Sequence, residues 1–157
     1  MPSPPGNPTD PELGRVLDGR FELTRFIAKG GMGKVYRATQ RPLDRVVAVK
    51  LLNAFGAADE EFRKRFFLEA SLCARLTHPN IVRIYDFGHD KDETYYIAME
   101  YLEGETLTQL IRRTGPIAPR RAIHVIRQVC AALVEAHEQG MVHRDLKSSN
   151  LMLGSHA

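Results

Sequence analysis

The chain has 157 residues, enough for one compact domain with its own hydrophobic core. Its 43% hydrophobic and 26% charged residues are typical of a soluble globular protein and exclude a fibrous or largely disordered chain. The net charge of +3 is small, and acidic residues alternate with basic ones, as in DEEFRKRFFLE, so we expect no nucleic-acid binding.

The two cysteines, Cys73 and Cys130, lie within apolar helical patterns and lack the spacing of metal ligands. They are therefore interpreted as buried thiols of a reducing compartment. The chain does not open with a signal-peptide pattern, and no apolar run reaches the roughly 18 residues that a membrane span needs. We expect a cytoplasmic location and no membrane contact by this chain.

The first elements in chain order are a leader and three strands. Residues 1–14 are rich in Pro, Gly and small polar residues, which predicts a flexible leader. Three short segments rich in β-branched and aromatic residues then predict an antiparallel meander: FELTRFIAKG (21–30), KVYRAT (34–39) and DRVVAVKLL (44–52).

An amphipathic helix is predicted over residues 59–76, and two more strands follow it. The helix carries a stripe at spacings of three and four residues, which includes one carboxylate: Phe62, Phe66, Glu69, Cys73 and Leu76. The THPN break ends the helix, and IVRIYDFG (81–88) and ETYYIAMEYL (93–102) bring the predicted sheet to five strands.

The rest of the chain is predicted to be mainly helical. TLTQLIRR (106–113) is followed by a longer helix over residues 119–140, in which Pro119 suits the first turn and Gly140 the C-terminal end. Its predicted apolar stripe is Ala122, Ile126, Val129, Leu133 and Ala136. A polar loop and a short apolar strand, LML, come last.

The glycine-rich stretch AKGGMGKVYRA (28–38) has two interpretations. Gly30, Gly31 and Gly33 could bring backbone N–H groups close to the phosphates of a nucleotide. A simple hairpin turn would explain the same glycines. A P-loop is excluded, because Ala28 stands where that motif needs glycine and Val35 where it needs a hydroxyl.

Lys50 and Glu69 form a candidate ion pair. A lysine at the end of an apolar strand usually faces solvent, so Lys50 alone indicates little. A carboxylate buried on the helix stripe would be costly without a cation, which favours pairing of Glu69 with Lys50. Alternatively, Glu69 lies at the edge of the stripe and is solvated.

The stretch VHRDLKSSN carries a more specific set of chemical groups. Asp145 could orient and deprotonate a hydroxyl, Lys147 could neutralise a transferring phosphoryl group, and the amide oxygen of Asn150 could bind a metal. The alternative is a charged surface loop without chemistry.

The order of these motifs resembles that of a eukaryotic-like serine/threonine protein kinase. The glycine-rich hairpin, VAVK, a helix with a central Glu, HPNIV, MEYLEG and HRDLKxxN cover residues 21–153, and GGMGKVY is similar to the bacterial, Hanks-type members. The resemblance implies an α+β, protein-kinase-like fold. It would have a complete N-lobe with its hinge (15–103), built on a five-stranded antiparallel sheet and the αC helix, and part of the helical C-lobe (104–157).

The resemblance also implies ATP and Mg2+ as cofactors and assigns nucleotide contacts. Lys50 would hold the α- and β-phosphates and pair with Glu69, while Met99 would be the gatekeeper. The remaining nucleotide-binding positions would be the loop residues Ala28, Gly30, Gly31 and Gly33, the adenine contacts Val35, Ala48 and Met152, and the hinge residues Glu100, Tyr101 and Leu102. Ala28 departs from the family, which has glycine there.

The same resemblance assigns roles to individual residues of the catalytic loop. Asp145 would be the catalytic base, Lys147 a contact of the γ-phosphate, Asn150 a magnesium ligand and Arg144 the arginine that receives an activation-loop phosphate. Ser148 replaces a common proline, a change that we expect the loop to tolerate.

In the family, the Asp-Phe-Gly motif and the activation loop follow the catalytic loop, and neither stands after HRDLKSSN in the given sequence. We therefore expect slow phosphoryl transfer by this chain alone and an exposed apolar patch on its longest helix. Two alternatives to a protein kinase acting on a protein substrate remain open. One is a nucleotide-binding or kinase-docking module, which could self-associate through the N-lobe; the other is a non-functional remnant. A longer relative could carry a sensor or a membrane anchor.

Overall fold

The computed structural model describes residues 10–30, 33–52 and 60–154. Most of the predicted leader, and Gly31 in the glycine-rich stretch, lie outside these residues. The strands are β1 (Val16–Leu17), β2 (Phe21–Gly30), β3 (Gly33–Gln40), β4 (Arg45–Leu52), β5 (Ile84–His89), β6 (Tyr95–Glu100), β7 (Gly104–Thr106) and β8 (Met152–Gly154). The helices are α1 (Glu60–Cys73), α2 (Leu107–Thr114) and α3 (Pro119–Glu138), with a 3₁₀ turn at Ser148–Asn150.

The main sheet is antiparallel throughout and has the strand order β1-β2-β3-β4-β6-β5. All five predicted strands are present in it. The sequence prediction missed β1, because two residues are too few for a periodic pattern.

Arg15, just before β1, attaches this short strand to the far end of the sheet. Its guanidinium donates to Glu12 at 2.8 Å and to Asp92, in the β5–β6 turn, at 2.6 Å. The ion pairs are partly exposed, so each contributes modestly to stability. Together with the backbone pairing to β2, they hold this two-residue strand in place.

One face of the sheet carries the hydrophobic core. Alternate residues of neighbouring strands point to this face, and Tyr36 and Tyr96 are the largest side chains fully buried on it. Burial of side chains of this size contributes about 2 kcal/mol or more each to folding. The core cluster consists of Leu17, Phe21, Leu23, Tyr36, Ala38, Val47, Val49, Leu51, Tyr96 and Ala98.

Helix α1 packs against the sheet through aromatic rings. Phe62 and Phe66 make edge-on contacts with the ring of Tyr95, at centroid distances of 5.8 and 5.1 Å. Glu60 and Glu61 in the first turn favour helix formation there, because their negative charges interact favourably with the positive N-terminal end of the helix dipole. The helix ends at Cys73, three residues before the predicted end.

The chain divides into two compact units. Of the described residues, one unit contains those up to 75 together with 83–101, and the other contains 76–82 and 102–154. In the second unit, α2 begins with a capping box of Thr106 and Gln109. The THPN segment is held by α3, since the Glu135 carboxylate accepts from the Thr77 backbone N–H at 2.8 Å.

Helix α3 buries one edge of the predicted apolar stripe, at Ala136. Ala132 and Ala136 are its buried residues, whereas Ile126 is 52% exposed. Ile123 and Val134 are also exposed, so the helix presents an apolar outer face. Apolar residues occupy more than half of the circumference of α3, and periodicity alone does not indicate which part is covered. The burial expected for Cys130 is wrong, because its side chain is exposed.

Candidate active site

Four candidate nucleotide-binding residues share the sheet face opposite the core. Val35 on β3 is the direct partner of Lys50 on β4, and Ala48 is the direct partner of Met99 on β6. Direct cross-strand partners point to the same side of a sheet. The alternating residues Val47, Val49 and Leu51 belong to the core cluster, so Ala48 and Lys50 point away from it.

The glycines at the β2–β3 turn have different structural roles. A Cβ atom on Gly33 would lie 1.8 Å from the Leu51 carbonyl oxygen, so the close approach of β4 requires glycine there. A Cβ atom on Gly30 would meet nothing within 4 Å. Gly33 is thus explained by the fold alone, whereas packing does not require Gly30.

Glu69 is not buried on the α1 stripe as predicted. Phe66 and Ala70 are the buried residues of the helix, while Glu69 is exposed. Among the described residues, no ion pair joins Glu69 to the half-buried Lys50. The solvated alternative therefore describes Glu69 in this structure, and the burial argument for the pair is wrong. Glu69 does act on Cys73, whose thiol pKa is raised by burial and by this carboxylate.

The predicted hinge begins where β6 ends, and two of its residues are held within the first unit. The Glu100 backbone N–H donates to the Arg83 carbonyl at 2.8 Å, and the Glu100 carboxylate accepts from the Arg83 N–H at 3.3 Å. The Tyr101 hydroxyl accepts from the Arg25 guanidinium at 2.8 Å. Leu102, in the second unit, is half-buried.

The residues of the catalytic-loop motif are brought together in the second unit. The Asn150 side-chain amide donates to the Asp145 carbonyl at 2.8 Å and to its carboxylate at 3.3 Å. The Lys147 ammonium lies 3.3 Å from the other carboxylate oxygen of Asp145. The three candidate residues therefore form one hydrogen-bonded cluster around the Asp145 carboxylate.

Neighbouring elements hold the ends of this loop. The Ser148 hydroxyl hydrogen-bonds the Thr108 hydroxyl of α2 at 2.7 Å, and the Leu107 N–H donates to the Leu151 carbonyl at 2.8 Å. Strand β8 then pairs with β7, which leaves Met152 40% exposed. Arg144 has a φ of 62°, a left-handed conformation that is uncommon outside glycine and that concentrates in functional loops.

The electrostatics of the loop keep Asp145 ionised. Its pKa is lowered from the ordinary value, mainly by the hydrogen bond with Lys147, with further contributions from Asn150 and His143. An exposed carboxylate in this state can accept a hydrogen bond from a hydroxyl group at neutral pH.

The loop offers limited ligation for magnesium. Because the Asn150 amide nitrogen is used by Asp145, its amide oxygen is the group left for a cation. The described residues contain no cluster of three or more His, Cys, Asp or Glu side chains suited to a metal. A magnesium ion here would need phosphate oxygens as additional ligands.

His143 is a loop residue to which the sequence interpretation gave no role. Its Nδ1 accepts a hydrogen bond from the Asp145 backbone N–H at 3.2 Å. The HRD spacing could have indicated this contact, since a side-chain acceptor two residues before an N–H forms a common turn.

A family model described as "Protein kinase domain" matches residues 21–157. The chain belongs to the protein kinase family. The serine/threonine-protein kinase PrkC of Bacillus subtilis is 44% identical over 141 residues, which cover 90% of this chain and 22% of PrkC. The serine/threonine-protein kinase pkn3 of Myxococcus xanthus is 41% identical over 92% of this chain and 26% of its own length.

A solved structure also matches this kinase chain. The PknI kinase domain of Mycobacterium tuberculosis superposes with a TM-score of 0.79 at 34% identity, covering 90% of this chain and 58% of that one. The predicted protein-kinase-like fold is thus confirmed. The chain spans about a quarter of the length of the two curated relatives above. Within the described residues, no helix has the length and apolar character to cross a bilayer.

Proposed function

We propose that this chain is part of a serine/threonine protein kinase that transfers the γ-phosphoryl group of ATP to Ser or Thr hydroxyls of a protein substrate. The observation that carries the proposal is the cluster of Asp145, Lys147 and Asn150 in the catalytic loop. A carboxylate, an ammonium and an amide side by side are the groups that phosphoryl transfer requires. The names of the relatives support the same activity.

The first unit supplies the proposed nucleotide contacts. Lys50, with Val35 opposite it, would hold the α- and β-phosphates, and the apolar side chains of Ala48 and Met99, which are direct cross-strand partners, suit an adenine ring. Lys50 has no ion pair with a described carboxylate, so its ammonium can bind phosphate. The backbone at Glu100 and Tyr101 would hydrogen-bond the edge of the adenine.

The second unit supplies the proposed transfer chemistry. Asp145 accepts a hydrogen bond from the substrate hydroxyl and orients it for attack, and its lowered pKa keeps it ionised. Lys147 neutralises charge on the transferring group. The Asn150 oxygen contributes one ligand to Mg2+, which, when bound, neutralises charge that develops on the phosphates.

Two measurements on the purified 157-residue chain test this proposal: ATP binding with and without Mg2+, and phosphate transfer to a generic basic protein. ATP binding that Mg2+ strengthens is the expected result. We expect transfer to be slow, because the described residues provide one amide ligand for the metal. A folded chain that binds no ATP would contradict the proposal.

Since ATP is a cytoplasmic metabolite, we also propose a cytoplasmic location for this part of the protein.

A nucleotide-binding module without phosphoryl transfer is the second candidate. The observation that favours it is the separation of Lys50 from Glu69, which leaves the phosphate-binding lysine without its expected partner. Magnesium-dependent ATP binding with no detectable transfer, even by a chimera completed with the remaining kinase domain of PrkC, would support this candidate over the first.

A further inference from the structure

The candidate adenine surface continues into two arginines on the same sheet face. Arg25 on β2 is the direct partner of Arg37 on β3, and Arg37 is the direct partner of Ala48 on β4. Ala48 is in turn the partner of Met99 on β6. A single row across four strands therefore runs from the predicted gatekeeper to a pair of arginines.

Two arginines directly opposite each other are an unfavourable cross-strand pair, because like charges repel at this separation. Among the described residues, neither guanidinium forms an ion pair with a carboxylate. The sheet therefore keeps two positive charges side by side without the usual compensation. A protein group that contacts both guanidiniums would offset part of this repulsion.

Tyr101 is that group. Its hydroxyl accepts from the Arg25 guanidinium at 2.8 Å, and the Arg37 guanidinium carbon lies 5.8 Å from the centre of its ring. The first contact is a charge-assisted hydrogen bond, and the second is at cation–π distance. Thr24 fixes Arg37 in turn, since its hydroxyl accepts from the Arg37 guanidinium at 3.3 Å. One tyrosine thus joins the two arginines.

Tyr101 is also the first residue after β6, where the ladder with β4 has ended at Glu100. Beyond this point, no β-ladder fixes the backbone of the predicted hinge. The position of the chain where it leaves the sheet therefore depends on side-chain contacts. The side chain of Tyr101 makes these contacts with Arg25 on β2 and Arg37 on β3.

We propose that Arg25 and Arg37 are positioning residues for the nucleotide site: they hold Tyr101 and thereby fix the hinge backbone that reads the adenine edge. This inference rests on the proposed function, since it assumes that ATP binds at this face. It assigns selectivity for the adenine base to two residues that the sequence analysis gave no role in nucleotide binding. The phosphate contacts of Lys50 are independent of it.

The test compares ATP with inorganic triphosphate, which has no base to be read. Calorimetry on the 157-residue chain would give both affinities for wild type, Arg25→Ala, Tyr101→Phe and the double variant. We expect each single variant to bind ATP about fivefold more weakly, the effect of one lost hydrogen bond, with triphosphate affinity unchanged. The double variant should lose no more than either single variant, because both remove the same bond.

Two further variants separate positioning from general stability. Arg25→Lys keeps a charged donor and should recover part of the ATP affinity. Arg41→Ala removes a guanidinium that pairs with Glu22 in the same sheet, at 2.7 Å, and should leave both affinities unchanged. Equal ATP binding by wild type, Arg25→Ala and Tyr101→Phe would overturn the inference. A parallel loss of triphosphate binding would also overturn it, since that result indicates a damaged fold.

A second readout needs no nucleotide and so distinguishes this inference from the proposed function. Amide hydrogen exchange at residues 100–102 should be faster in Tyr101→Phe and Arg25→Ala than in wild type, with exchange in β4 unchanged. If wild type bound no ATP, the proposed function would fail, and this exchange would still decide the positioning role. Unchanged exchange at the hinge would overturn it.

Discussion

The two groups of candidate catalytic residues differ in how far they are assembled. In the catalytic loop, Asp145 already hydrogen-bonds Asn150 and pairs with Lys147. On the sheet and α1, Lys50 and Glu69 remain apart, and Glu69 is exposed to solvent. The chain therefore presents a preformed loop and an unformed ion pair.

The difference reflects the distance along the chain over which each group must be assembled. Asp145 and Asn150 are separated by five positions, so one 3₁₀ turn brings them together at a small cost in chain entropy. Lys50 and Glu69 lie on separate elements, and the position of a whole helix decides whether they meet. The local contacts of Asp145 are thus formed in this structure, whereas the tertiary contact between Lys50 and Glu69 is not.

The largest expected effect concerns the preformed loop. In a chimera that joins the chain to the rest of the PrkC kinase domain, Asp145→Asn should lower phosphoryl transfer about 1,000-fold, because it removes the proposed base that orients the hydroxyl. ATP affinity, measured by calorimetry, should stay nearly unchanged. Full transfer activity in this variant would contradict the role of Asp145.

The glycine-rich turn gives the next largest effect. Gly33→Ala should lower the free energy of unfolding by about 2 kcal/mol or more, because its Cβ would clash with the Leu51 carbonyl oxygen. Gly30→Ala, whose Cβ meets open space, is the matched control and should change stability little. Urea unfolding followed by tyrosine fluorescence would measure both, since the chain contains no tryptophan. Equal stability of the two variants would refute the clash.

Glu69→Gln tests whether the unformed ion pair forms on nucleotide binding. Because Glu69 is exposed, the unfolding free energy should change by less than about 0.5 kcal/mol. If ATP draws Glu69 to Lys50, ATP affinity should fall severalfold. Unchanged affinity would mean that Lys50 binds phosphate without Glu69.

The smallest expected effect is a shift in the pKa of the Asp145 carboxyl. The pKa of Asp145 is lowered from its ordinary value of 3.8, so its interaction with Lys147 is complete above that pH and is lost as the pH falls through the lower, folded-state pKa. Carbon NMR titration of the Asp145 carboxyl should show this. Lys147→Met should move the pKa back towards 3.8, while Lys64→Met, which removes a lysine paired with Glu60, should not change it. An unchanged pKa in Lys147→Met would contradict the assigned cause.

The sequence predicted five strands of the main sheet and the three helices, because each has a clear alternation or helical period. It missed β1 and β7, which are too short for a pattern, and it did not indicate which of the apolar residues of α3 are buried. Residues such as Ile126 and Ala132 are both apolar, so the pattern does not indicate which of them a neighbouring element covers. For the same reason, the helical period did not show that Glu69 is exposed while its neighbour Ala70 is buried.

Sequence by itself determined the family and the order of the longer strands and helices, since these depend on residue types at short, fixed spacings. Tertiary structure alone decided that Glu69 is solvated, that Gly33 is required by the approach of β4, and that Arg25, Arg37 and Tyr101 meet. Each of these depends on strand register and helix rotation. Both are set by packing between segments far apart in the chain, which a local pattern does not contain.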